Sequence, residues 1–228
     1  MNLFDQTRSL LKKEILLEWR SKYAFNGVLL YVVSTVFICY ISFQLTPGFE
    51  KSDGYKIVWN VLFWIIMLFA SVNAVAKSFM QESRARLLYY YTIAGAQAII
   101  LSKIIYNILL MGLLSLLTLV VYLTFFHNTP GSPYLYVFTV LLGSISFSTV
   151  FTMISAIASK AGNNGTLMSI LSFPVIIPVI LVLIRLSKQA MDGIDIDSHI
   201  YQNIGALCAI NVIVIATSLL LFPFLWRD

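Results

Sequence analysis

The 228 residues are 59% hydrophobic and only 11% charged, with a formal net charge of +5 and a mean hydropathy of +0.87. A soluble globular domain carries roughly a quarter charged residues, so the composition excludes a water-soluble enzyme and points to an all-α, polytopic membrane protein. Each helical crossing uses about 20 apolar residues, which leaves room for six spans and short loops but no soluble catalytic domain.

Residues 1–24 mix Leu10, Leu11, Ile15, Leu17 and Trp19 with Arg8, Lys12, Lys13, Glu14, Glu18, Arg20 and Lys22 at near-helical spacing. This predicts an interfacial helix lying on the membrane surface. Glu18 and Lys22 stand four apart and can pair, contributing roughly a few tenths of a kcal/mol.

Span one is expected at 25–45; the run lacks a small-residue cleavage pattern after it and reads as retained. It ends at Thr46-Pro47-Gly48, a turn signal. Span two is expected at 57–76, with Trp59 and Trp64 near its start, where aromatic residues mark a membrane interface.

The stretch Lys77 to Lys103 is the most polar one between two long apolar runs. Its core, 77–98, interleaves Glu82, Arg84 and Arg86 with Phe79, Leu87, Leu88 and the triplet Tyr89, Tyr90, Tyr91. It is expected to lie at the membrane surface and dock a cytoplasmic partner.

Span three is expected at 99–125, stopping at the breaker cluster His127 to Gly131. Span four, 135–158, carries Gly143, Ser144, Ser148, Thr152 and Ser155; small residues three or four apart admit a neighbouring helix, so this face is expected inside the bundle. Lys160 to Gly165 is a tight polar turn. Span five, 166–186, contains Pro174 and Pro178, each of which removes a backbone donor, so a kink or break is expected there. Ser187 to Asn203 reads as an acidic loop, and span six as 204–225.

Of the 15 Lys and Arg, eleven fall at the N-terminus, in the second and fourth connections and at the C-terminus. The other four are Lys51, Lys56, Arg185 and Lys188. The positive-inside rule then places both termini and the 77–98 segment in the cytoplasm.

Chemistry is sparse. No Walker-type phosphate loop is present, so any nucleotide-derived energy must come from another chain. No span holds an Asp or Glu to relay protons, and a serine in span four has no histidine in a span to act as its base. Cys39 and Cys208 are expected as buried small apolar residues, with neither a disulfide nor a metal site indicated. His127 and His199 fall in predicted outer loops and are weak candidates for haem ligation. Gln44, Asn60, Asn73, Asn107 and Asn211 are expected to hydrogen-bond between helices. Charge this close to a bilayer indicates lipid and no nucleic acid.

Three segments together carry a resemblance. Residues 165–178 read Gly165-Thr-Leu-Met-Ser-Ile-Leu-Ser-Phe-Pro-Val-Ile-Ile-Pro; Glu14 to Arg20, EILLEWR, resembles an E-L-x-x-x-x-R pattern; and the second connection ends in L-x-K at Leu101 to Lys103. The chain thereby resembles the CcmB family, haem exporter protein B, the ABC-type permease subunit of cytochrome c maturation. At Glu82 to Leu88 it lacks the glycine and second acidic residue that many members carry.

The resemblance implies a type-2 ABC exporter permease fold in the cytoplasmic (inner) membrane. It also implies a homodimer joined to two copies of a separate ATPase, to a haem-handling membrane protein and to a small membrane partner. ATP would be hydrolysed on the partner, with haem as cargo and no cofactor or catalytic residue on this chain. Docking to the ATPase is expected from Phe79, Glu82, Arg84, Arg86, Tyr89, Tyr90 and Tyr91, with Lys160 as a lesser contact, and conformational bending from Pro174 and Pro178. The alternatives are a type-2 ABC permease for a lipid-linked glycan or drug, and a haem-ligating membrane protein.

Overall fold

The computed structural model describes residues 3–21, 23–45, 48, 54–75, 79, 94–126, 130–160, 165–193 and 198–227. Among them are seven helices and no strand: α1 (Leu3–Ser21), α2 (Tyr23–Gln44), α3 (Gly54–Val75), α4 (Ala96–Phe125), α5 (Pro133–Lys160), α6 (Gly165–Asp192) and α7 (Ser198–Arg227). All but α1 are long and apolar enough to cross a membrane, and the chain is a polytopic membrane protein. Only helices satisfy every backbone group within one segment, which is why a chain this apolar folds in this way.

Helix α5 is the centre. It packs against α3, α4, α6 and α7, and 72% of its apolar window is buried, against 17% for α2. The cause is its small-residue face: Ser144, Ser148, Thr152 and Ser155 are all buried, as the spacing predicts. Two of these hydroxyls donate to carbonyls of their own helix, Ser144 to Leu141 O at 2.7 Å and Thr152 to Ser148 O at 2.6 Å, whereas Ser148 Oγ is buried without a hydrogen-bond partner among the described residues.

Polar side chains then stitch neighbours to α5. Asn107 of α4 donates to Thr152 Oγ1 at 2.8 Å. Asn211 of α7 donates to Ser146 Oγ at 3.0 Å and accepts from Thr149 at 3.3 Å. Asn60 bonds across helices as well, but Asn73 turns back to Phe69 O of its own helix and Gln44 is exposed.

Trp59 and Trp64 are the main departure on α3. Both are fully buried and mark the core, not an interface. Trp59 meets Tyr122 edge-on at 4.8 Å between ring centroids, and Tyr122 donates to Trp59 O at 2.8 Å. Trp64 Nε1 donates to Ser187 Oγ of α6 at 2.8 Å, while its ring fills the notch at Gly143 of α5, where a Cβ would stand 2.7 Å from the ring.

Helix α6 runs unbroken through Pro174 and Pro178. Both prolines lie on its exposed side with Phe173 and Ile177, whereas Ile176, Val179 and Leu183 are buried. The backbone donors that proline lacks are thus lost on the face turned away from the bundle. Ser187 to Asp192 and Ser198 to Asn203, expected as loop, are helical ends of α6 and α7; helices continue past the hydrocarbon wherever backbone bonding favours them. Cys208 is exposed on α7 and Cys39 half-buried on α2; both are free, so Cys208 faces outward instead of packing inside.

Opposite α1, the turn at 130–132 closes onto the end of α6. Gly131 N donates to Met191 O at 3.2 Å and Ser132 N to Ala190 O at 2.9 Å. Gly193 takes φ +67°, and a Cβ on Gly131 would lie 2.7 Å from Gly193 Cα, so two glycines allow backbone to touch backbone.

Candidate functional site

The polar connection between α3 and α4 is framed by α1. This helix lies along α4 with Phe4 and Trp19 exposed, the disposition of a helix that sets apolar side chains into a membrane surface. Gln6 Oε1 accepts from Gly95 N at 3.1 Å. Gly95 is the N-cap of α4, and its own carbonyl accepts from Ala98 and Ile99, so α1 fixes the point where the chain enters α4.

Deeper in this contact lies an ion pair. Lys103 Nζ is 3.4 Å from Glu14 Oε1, which also meets Lys13 Nζ at 2.9 Å. The Lys103 side chain is only 3% exposed. Burial alone would raise the Glu14 carboxyl; the charges and hydrogen bonds of Lys103 and Lys13 outweigh it and hold the group below the ordinary value of 4.5. Glu18 accepts from Phe25 N at 3.0 Å at the start of α2. Lys22, its expected partner, lies outside the described residues.

Phe79 belongs to the same assembly. It is buried against Ile99, Ile100, Ile104, Ala156 and Phe222. Its ring lies 4.8 Å from Lys103 Nζ, a cation–π distance, and 5.6 Å from the Phe222 ring. Phe79 therefore anchors the segment to the bundle and is not on an open docking face.

Glu82, Arg84, Arg86, Tyr89, Tyr90, Tyr91 and His127 lie outside the described residues. Lys160 is the last residue of α5. His199 stands in the first turn of α7 and lines a depression with Arg185 and Lys188 at the end of the bundle away from α1. No group of three or more His, Cys, Asp or Glu that could hold a metal ion occurs among the described residues.

Sequence spacing did not reveal the Glu14 to Lys103 pair, because its members are separated by 89 residues. The available signal was a lysine two turns inside a long apolar helix, facing a basic and acidic surface helix.

The family model of the CcmB protein matches residues 5–225, nearly the whole chain. The chain belongs to the CcmB family. Members are transmembrane ABC-type permeases for haem transport in cytochrome c biogenesis, and the six apolar helices, α5 at their centre, are the membrane domain that this membership requires. No curated protein matches the chain.

Proposed function

We propose that the chain is the permease half of a haem-export machine in the inner membrane, with both termini and the 77–98 segment in the cytoplasm. It works as a homodimer with two copies of a separate ATPase subunit, alongside a haem-handling membrane protein and a small membrane partner. ATP is hydrolysed on the ATPase, and this chain supplies no catalytic residue. The stroke either moves haem outward or releases a haem-loaded periplasmic chaperone.

One observation carries the reading. The two ends of the connection are held on one patch, Phe79 against Lys103 and Gly95 against Gln6, so a force on the residues between them is passed to α4 and to the parts of α1, α5 and α7 packed around that patch. In this reading Glu82, Arg84, Arg86 and the tyrosines Tyr89 to Tyr91 seat in a cleft of the ATPase, and the Lys160 to Gly165 turn makes a lesser contact. Pro174 and Pro178 give α6 its bending point.

Replacing Glu82, Arg84 and Arg86 together with alanine is expected to abolish co-purification with the ATPase and to lower cytochrome c yield; unchanged co-purification and yield refute the docking. Co-expression with the ATPase and haem-handling partners, with haem content measured in the presence and absence of ATP, separates haem from another cargo.

A further inference from the structure

The Lys and Arg assigned by the sequence to the side away from the N-terminus are few, and three of the four converge. Lys56 at the start of α3 and Arg185 and Lys188 near the end of α6 line two adjoining depressions of about 290 and 450 Å³, which share Lys188 and Asp192. Arg185, Lys188 and Asp192 recur at three- and four-residue spacing and so share one helix face. Among the described lining residues the three cations face one carboxylate, Asp192. None of the three cations forms an ion pair among the described residues.

The walls are held in place from beneath. Asn60 Nδ2 donates to Ile184 O at 3.5 Å, and Tyr136 donates to Asn60 Oδ1 at 3.3 Å, tying α3 to α6 and α5. Asn203 Nδ2 donates to Gln189 Oε1 at 3.2 Å, tying α7 to α6. Beside the cations, the first depression carries an apolar wall of Ile57, Val61, Ile184 and Met191 on two membrane-spanning helices. Cations next to such a wall match a ligand with an anionic head and an apolar chain. A soluble anion has no use for the wall, and an acidic protein would have to reach into the bilayer to cover it.

We propose that this site binds the phosphate headgroup of an anionic phospholipid, with Lys56, Arg185 and Lys188 around the phosphate and the start of the acyl chain along Ile57 and Val61. Basic pockets between membrane helices hold anionic headgroups in this way. The inference does not depend on what the permease carries.

The test uses the full chain in nanodiscs of phosphatidylcholine with a minor share of phosphatidylglycerol, counting retained lipid by native mass spectrometry. Phosphatidylglycerol is expected to be retained in preference to phosphatidylcholine. Lys56→Ala, Arg185→Ala and Lys188→Ala should each lower that retention roughly fivefold, whereas Lys188→Arg keeps it. Asp192→Asn should raise it, a gain that misfolding cannot imitate. A triple alanine variant that keeps the wild-type preference overturns the site. Displacement of the lipid by excess inorganic phosphate overturns the amphiphile and leaves a site for the free anion.

Discussion

The two ends of the bundle use positive charge in opposite ways. At the α1 end, Lys103 is buried and joined to Glu14 and the Phe79 ring; at the other, Lys56, Arg185 and Lys188 are exposed and have no carboxylate within ion-pair distance among the described residues. A buried cation is tolerated only where partners replace its water, so Lys103 serves the architecture of the first end. Cations left facing solvent and headgroups hold nothing together, and their charge is available to a ligand.

The comparison breaks first at Lys103. Lys103→Ala strands the Glu14 carboxylate with Lys13 alone and should cost about 3 kcal/mol, read as a large fall in thermal stability in detergent; a shift no bigger than that of an exposed lysine would mean the two ends are alike. The uncharged waist between them sets the next mark. Gly143→Ala puts a methyl group into the Trp64 ring and should cost about 2 kcal/mol by overpacking, with partial recovery when Trp64 is made smaller.

A smaller effect comes from pH. Because Glu14 titrates below its ordinary value of 4.5 in the folded chain, its contribution is complete above that value and is lost as pH falls through the lower, folded-state value. Limited proteolysis of α1 should therefore be insensitive to pH near neutrality and accelerate only below about 4.5; loss of protection already at pH 6 would assign the contact to other groups. Smallest of all is the stability change on removing Lys56, Arg185 and Lys188 together, expected within about 0.5 kcal/mol. A fall comparable to that of Lys103→Ala would show that these cations are structural after all.

The six spans and the inward face of span four were legible because lipid acts as a solvent, and length and small-residue spacing follow from it directly. The tryptophans were not. In a bilayer both the core and the lipid-facing surface are apolar, so hydrophobicity does not tell which side of α3 faces inward, and Trp59 and Trp64 read as interface markers while they fill the interior. Polarity misled at Ser187 to Asn203, since backbone bonding carries α6 and α7 beyond the hydrocarbon. Of the docking site, the location of the connection was legible, whereas the inward role of Phe79 depends on Lys103 and Phe222, contacts that only the fold creates. The charges Glu82, Arg84 and Arg86 lie outside the described residues and rest on the sequence.

The Trp64 side chain is wedged into α5 at Gly143 and hydrogen-bonded to α6 at Ser187. In mechanical language it is a cross-pin through three helices. Parts pinned in this way rotate together, so a transport stroke that tilted α3 by itself would have to shear the indole out of its notch. The cheaper motion carries α3, α5 and α6 as one block, and places the slip at the more lightly packed helices such as α2.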